Sequence, residues 1–405
     1  MTRCGIDTVE ISRIDEAIKK NPDFLNRVFS GAEIEYSKKK KNGIESLAGF
    51  FAAKEAFSKY LGTGVSGFNL NDVSVEHSES GTPFIVFRGD RQDVSLSISH
   101  NETTAVAVVC GDNEDVAEPP LKAEMMSLMP TRPENSNKGD FGRVLIVGGS
   151  RGMTGAAVLS AYSALRTGAG LVTLATAESE RAIAAGFYPE IMTAGLDAKN
   201  GIICASATKE LLRLSTGKNS IVFGPGLGQS PEILPVLAEL LRSYTGSLVI
   251  DADGLNALSK NVGILKEKSC EVILTPHPGE MSRLVGREVE EVQQNRQEIA
   301  EKFAKEYDVC IILKGHASVV AKKGCKTFIN PTGNPGLSTA GTGDVLAGMV
   351  AAFLAQGLDL FNGAILGVYV HGLSGDIAKE PRGAHGMVAS DVIDAIPEAI
   401  LKILK

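Results

Sequence analysis

Five short apolar runs in the later two-thirds of the chain each empty directly into a loop of glycine and polar residues. Residues 144–147 lead into Gly148, Gly149 and Ser150, and residues 221–223 into Gly224, Pro225, Gly226 and Leu227. Residues 248–250 precede Asp251, Ala252 and Asp253, and residues 272–274 precede Thr275, Pro276, His277, Pro278, Gly279 and Glu280. Residues 309–313 run into Lys314 and Gly315. A sixth run, 171–174, and helical patterns near 155–167, 232–243 and 290–307 fill the intervals. Short unbroken apolar strands alternating with helices predict an α/β unit: a mostly parallel sheet between helices. Ligands of such sheets gather beyond the carboxyl ends of the strands, where these loops fall.

The segment 330–344 adds a further loop of the same kind. Gly333, Gly336, Gly341 and Gly343 precede Asp344, and Val345, Leu346, Met349, Val350, Phe353 and Leu354 then recur at helical spacing. Asp344 therefore falls in the first turn of a helix, where free N–H groups and the helix dipole favour an anion. Beside a bound phosphate, Asp344 is placed to move a proton or orient a metal. Taken singly, Asp344 is equally a helix cap, Asp251 a turn residue, His277 a core histidine and Lys314 a strand-end charge. Taken together, the loops describe a rim around a phosphate-bearing ligand.

At 405 residues the chain exceeds one ordinary core, and two domains follow. Composition shifts between Cys110 and Lys138, which predicts a linker centred near residue 115, domains at 1–115 and 121–405, and a short helix around 122–128 belonging to the second. The first domain reads as α+β. Strands are expected at 2–6, 73–75, 84–87, 95–99 and 104–109, with a capping box from Ser30 to Glu33 and a strong helix over 45–60 stopped by Gly62 and Gly64. Net charge is −7, which gives no general pull toward nucleic acid or membrane; the basic run 38–41 is a solvated helix end or a landing site for an acidic protein. Six cysteines without metal-type spacing, mostly in apolar strand-like runs, read as reduced core thiols. With no signal-peptide pattern and no membrane-length apolar run, a soluble cytoplasmic protein is expected.

Over residues 121–405 the motifs resemble the ADP-dependent NAD(P)H-hydrate dehydratases, which have a ribokinase-like fold. The matching pieces are Lys138 to Ser150, Gly155-Ala156-Ala157, Gly224 to Leu227, Thr275 to Glu280, Asn330 to Asn334 and Gly341 to Asp344. The resemblance implies dehydration of (S)-NADH or (S)-NADPH hydrate with ADP converted to AMP. The hydrate hydroxyl is phosphorylated and phosphate, a far better leaving group than hydroxide, then departs. It also implies that Ala157, Gly226, His277 and Asp344 contact the hydrated dinucleotide. Lys314, Gly315, His316, Ala317, Ser318 and Gly343 would hold the adenine nucleotide, and Asp344 would be the catalytic base, with Mg²⁺ on the phosphates. A small-alcohol kinase of the same fold using ATP is the rival reading.

In the first domain, Asp7 is expected to end the first strand, and Glu55 and Lys59 share a helix face, which ordinarily means a surface ion pair. The alternative is a divalent cation on the acids with Lys59 beside a phosphate. Gly5 to Asp7, Phe51 to Lys59, Gly62 to Gly64, Gly81 to Pro83 and Ser97 to His100 resemble the holo-acyl-carrier-protein synthases over about 1–110. That resemblance implies transfer of phosphopantetheine from coenzyme A (CoA) to a serine of acyl carrier protein. Asp7 and Glu55 would bind Mg²⁺, Glu55 would be catalytic, Lys59 and His100 would lie by CoA, and the protein would be a trimer with sites between subunits. Phe50 stands where the family usually has Arg, which removes an expected cation; a non-catalytic, trimer-forming module is the competing reading.

Overall fold

The computed structural model describes residues 2–21, 23–61, 69–78, 81–112 and 120–405, and its chain divides into two units, Met1–Ala123 and Glu124–Lys405. The helix stop expected at Gly62 and Gly64 and the linker expected near residue 115 lie outside the described residues.

In the first unit, strands β1 (Thr2–Glu10), β2 (Val73–His77), β3 (Pro83–Phe87), β4 (Asp90–Arg91), β5 (Ser95–His100) and β6 (Thr104–Asp112) form two antiparallel three-stranded sheets, ordered β1-β6-β5 and β2-β3-β4. The helix Gly43–Leu61 buries Ala48, Ala52, Ala53, Ala56 and Phe57 completely. Its small side chains let β1 lie close, and Gly5 completes the fit. A Cβ at Gly5 would collide with the Ala56 carbonyl oxygen and come within 2.5 Å of the Tyr60 nitrogen. Asp7 lies inside β1, opposite Ala107, and not at its end, because pairing with β6 carries the strand on to Glu10.

Ser30 and Glu33 form the expected capping box at the start of the helix Gly31–Lys38. Glu33 does more than cap. It is fully buried with Lys54, Nζ to Oε2 at 2.8 Å, and its Oε1 accepts the Val75 N–H. Lys54 Nζ also donates to the carbonyls of Val28, Leu70 and Val73, at 2.8, 3.0 and 2.6 Å. One buried ion pair thus ties two helices to β2.

The cysteine reading needs a correction. Cys204, Cys270 and Cys310 are free and buried, but Cys4 and Cys110 form a disulfide. They face each other in the β1–β6 register with Cα atoms 4.3 Å apart, at a part of the sheet where Cys4 is exposed.

In the second unit, β7 (Arg143–Val147), β8 (Leu171–Ala177) and β9 (Met192–Leu196) are followed by a small hairpin, β10 (Ala198–Lys199) and β11 (Ile202–Ile203). The sheet continues with β12 (Ser220–Phe223), β13 (Ser247–Ile250), β14 (Glu271–Leu274), β15 (Cys310–Leu313), β16 (Val319–Lys322) and β17 (Phe328–Ile329). Its nine strands run in the order β17-β16-β15-β14-β13-β12-β7-β8-β9. All pairs are parallel from β9 to β15, and β16 and β17 add an antiparallel edge. Leu145, Phe223, Ile250, Leu274 and Leu313 pack with the helices Ile233–Ser243, Ala252–Leu258 and Arg296–Tyr307 in one core. The helix Thr342–Ala355 packs closely on Thr154–Arg166; a Cβ at Gly348 would strike the Ser160 carbonyl.

The helix expected over 290–307 is two helices, Val289–Gln294 and Arg296–Tyr307. Asn295 leaves helical geometry (φ −124°, ψ 37°) and its side-chain amide donates to the Glu291 carbonyl, a local bond that competes with the helix. Among the described residues no helix is long and apolar enough to cross a membrane.

Candidate functional sites in the two units

The loops at the carboxyl edge of the large sheet are stitched together by backbone bonds. Gly149 N–H donates to the Pro225 carbonyl (2.9 Å) and Ser150 N–H to that of Gly226 (2.6 Å), which joins the loops after β7 and β12. Gly226 is left-handed (φ 59°), and a Cβ there would come within 2.5 Å of the Met153 carbonyl oxygen. Ala157 lies fully buried against the loop after β7, its methyl 3.0 Å from where a Gly148 Cβ would be, and the Ala156 methyl stands 3.1 Å from where a Gly226 Cβ would be. Lys314 N–H donates to the Pro276 carbonyl (2.8 Å), which joins the loops after β14 and β15.

Lys314 is the hub. Its Nζ stands 2.8 Å from Asp251 Oδ1 and 3.9 Å from Glu280 Oε2, and 3.2 Å from where a Gly343 Cβ would be. Burial works against the ammonium, but Asp251, Glu280 and Asp344 outweigh it and hold its pKa above the ordinary lysine value. Asp251 is 1% exposed; Oδ1 also accepts from Thr275 Oγ1, at 2.7 Å, whereas Oδ2 has no hydrogen-bond partner among the described residues. Ala252 adopts φ 46° between Asp251 and Asp253. Such a conformation costs a non-glycine residue energy and recurs at functional sites.

Burial, reinforced by Asp251, raises Asp344 to about 7 against the pull of Lys314. Glu280 is likewise raised to about 7, by burial first. Two carboxyl groups are thus set to exchange protons near neutrality around one fixed cation. His277 Nδ1 accepts the N–H groups of Gly279 and Glu280 (3.0 and 3.3 Å), leaving its proton on Nε2, 3.5 Å from Glu280 Oε1. Burial, with Lys314 and Arg283 nearby, lowers its pKa and so favours the neutral ring, against the pull of Asp251.

Next to Lys314 a cavity of about 390 Å³ is lined by Gly315, His316, Ala317, Ser318 and Gly343, and on the far wall by Asn330, Gly333 and Asn334. The structure therefore brings together the residues expected to hold an adenine nucleotide. Sequence reasoning missed what supports them. Arg296 donates to the carbonyls of His316 and Leu313, holding the loop in which Ala317 is left-handed at φ 53°. Asp376 accepts from Gly333 N–H (2.9 Å) and Asn334 Nδ2 (3.0 Å) and fixes the opposite wall. His371, held neutral by burial that drives its pKa to about 4, donates Nε2–H to the Thr342 carbonyl beneath Asp344. The one available signal was His371 and Asp376 in the apolar, glycine-rich part of the helix Leu360–Gly386, before its charged end at Lys379.

In the first unit Lys59 pairs with Asp7 (Nζ to Oδ1, 2.8 Å) and donates to the Ile6 carbonyl, so the helical Glu55–Lys59 pair is replaced by a link between strand and helix. Burial and then the Asp7 charge raise the Glu55 pKa, opposed by Lys59. His100 is elsewhere: its Nδ1 is 3.7 Å from Glu45, ten residues before Glu55 in the same helix, or about 15 Å along the axis. Phe50 is a core residue, 3% exposed, with its ring edge-on to Tyr36 at 5.5 Å. Among the described residues no group of three or more His, Cys, Asp or Glu is arranged to hold a metal.

Comparison with known proteins separates the two units in the same way. Residues 144–398 match the family model of NAD(P)H-hydrate dehydratases, and residues 3–110 that of the 4′-phosphopantetheinyl transferase superfamily. A bifunctional NAD(P)H-hydrate repair enzyme of Moorella thermoacetica is 43% identical over 272 residues, 67% of this chain and 51% of that protein. An ADP-dependent (S)-NAD(P)H-hydrate dehydratase of Neisseria meningitidis is 38% identical, covering 65% of this chain and 86% of its own. The crystal structure of the ADP/ATP-dependent NAD(P)H-hydrate dehydratase of Bacillus subtilis, co-crystallised with ATP and Mg²⁺, superposes with a TM-score of 0.61 at 29% identity, covering 70% of this chain and 97% of that one. The chain spans about half the length of the bifunctional relatives it matches.

Proposed function

We propose, since this chain belongs to the NAD(P)H-hydrate dehydratase family, that its second unit dehydrates (S)-NAD(P)H hydrate at the expense of ADP. The observation that carries this reading is Asp344, the buried carboxyl that follows Gly343 of the cavity wall and lies within reach of the Lys314 charge, with burial raising its pKa to about 7. Lys314 and the N-terminal turn of Thr342–Ala355 receive the phosphates of the nucleotide. Asp344 takes the proton of the hydrate hydroxyl as its oxygen attacks the terminal phosphorus, and AMP leaves. The hydrate oxygen then departs within phosphate, a ring C–H proton is lost, and the dihydropyridine double bond is restored. The buried Asp251 Oδ2, without a hydrogen-bond partner among the described residues, fits one ligand position of a divalent cation carried by the nucleotide; Asp251 would hold Mg²⁺, which would neutralise phosphate charge. The Bacillus relative was crystallised with ATP, so the reading is tested with each nucleotide: hydrate dehydration with ADP supports it, and phosphorylation of a small alcohol by ATP without dehydration favours the kinase reading.

Asp376→Ala should raise the KM for ADP about tenfold and leave kcat within a factor of two or three, since it frees the wall at 333–334 without touching Asp344. Steady-state kinetics with varied ADP checks this; an unchanged KM removes Asp376 from the pocket.

For the first unit the reading is a Mg²⁺-dependent phosphopantetheinyl transferase that uses CoA and acyl carrier protein. Asp7 and Glu55 offer two hard oxygen donors, a set suited to Mg²⁺ that also binds substrate phosphates. Lys59 beside them supplies the phosphate-facing charge. The distance of His100 from this pair supports a site completed by a neighbouring copy, as in a trimer. Transfer of radiolabelled phosphopantetheine to apo carrier protein is expected with Mg²⁺ and to drop at least 100-fold in Glu55→Gln, in line with loss of a catalytic acid–base group. Absence of transfer by the wild-type protein, with a trimer by light scattering, would favour the non-catalytic module.

A further inference from the structure

A second concavity, about 660 Å³, is lined by residues of the loops after β12 and β13 and shares no lining residue with the nucleotide cavity. Its wall starts at Gly228, which closes the turn containing Gly226 and donates its N–H to Asp253 Oδ2 at 2.8 Å. Asp253 lines it too, and the charge of Asp253 reaches Asp344. The other flank is Arg283, on the helix Pro278–Val285 that His277 caps; an Arg283 nitrogen stands 4.0 Å from where a Gly279 Cβ would be. The groove thus adjoins the turns of both Gly226 and His277, the two loops expected to contact the hydrated dinucleotide.

Its chemistry is divided. Pro231, Ile233, Leu234 and Ala257 give an apolar wall, and Ser230, Asn256 and Ser259 give polar positions. Lys260 and Arg283 are exposed at it and form no ion pair among the described residues. Pockets of this size with an apolar wall and few polar groups suit one nucleoside-sized ligand. The cavity near 315–318 is taken by the adenine nucleotide, so a dinucleotide substrate needs separate room for its non-reacting half. The geometry points to this groove as the seat of the adenosine half of the hydrated dinucleotide, with Lys260 and Arg283 on its phosphates. The inference rests on the dehydratase reading.

Titration calorimetry on the full chain tests it, with excess ADP filling the nucleotide cavity and adenosine 2′,5′-bisphosphate as the probe. Wild type should bind the probe, and the Lys260→Ala/Arg283→Ala double variant should bind it at least tenfold more weakly, the scale of losing charge-assisted phosphate contacts. The KM for NADPH hydrate should rise by a similar factor, and by more than the KM for the hydrate of reduced nicotinamide mononucleotide. A rise for NADPH hydrate alone assigns the cations to the 2′-phosphate; an equal rise for NADH hydrate assigns them to the pyrophosphate. Equal probe affinity in the two proteins, or no binding to wild type, overturns the inference even if dehydration is intact. Probe binding that the double variant loses, in a protein that dehydrates neither hydrate, upholds the groove and sinks the dehydratase reading instead.

Discussion

Replacing Asp344 by asparagine is expected to slow hydrate dehydration by about 10²–10⁴-fold, the usual contribution of a positioned general base. The amide keeps the size and one acceptor but cannot take the hydroxyl proton. ADP affinity should stay within a few-fold, because Lys314 and loop 315–318 remain. The wild-type rate carries the companion signature. Burial and Asp251 raise this carboxyl to about 7, so its base form predominates only above that pH. The rate of the chemical step should therefore fall roughly in proportion to the ionised fraction as pH drops below 7, and the dependence should flatten in Asp344→Asn to what Glu280, also raised to about 7, contributes. Single-turnover rates across the pH range, with ADP affinity by calorimetry, check both. Near-normal turnover in the variant would remove Asp344 from the base role.

The largest effect on stability is expected from Lys54→Met. The substitution leaves Glu33 fully buried with no cation and takes a donor from three carbonyls. Breaking a buried pair by removing one partner costs about 3–5 kcal/mol, because the remaining charge is uncompensated. Adding Glu33→Gln should recover part of the loss, since a neutral side chain can still accept the Val75 N–H. Urea unfolding of the full chain, followed by amide exchange in 43–61, measures both. A loss under 1 kcal/mol for the single variant would mean that Glu33 reaches water or protonates at little cost.

The α/β core was readable because its strands are short unbroken apolar runs whose period cannot be mistaken when glycine loops bound them. β7, β12, β13, β14 and β15 all start or end within one residue of the sequence-based bounds. β9 was not readable: Met-Thr-Ala-Gly-Leu has weak strand character and owes its conformation to pairing with β8. The antiparallel β16 and β17 were hidden because they are segments of only four and two residues among lysines. At the rim, Asp344, His277 and Lys314 stood out because each follows a strand or a glycine-rich turn. Asp376 and His371 did not, since a helix face is chosen by packing and not by local sequence. The Lys59–Asp7 pair, which crosses 52 positions, was equally invisible, and the helical spacing pointed to Glu55 instead.

The most direct test is the reaction itself: purified protein, Mg²⁺, ADP and (S)-NADH hydrate, with dihydronicotinamide absorbance followed in the near ultraviolet and nucleotides separated by chromatography. The dehydratase reading predicts return of the absorbance with one AMP and one phosphate formed for each NADH. Failure to regain absorbance with either ADP or ATP, or regain without nucleotide turnover, would contradict it.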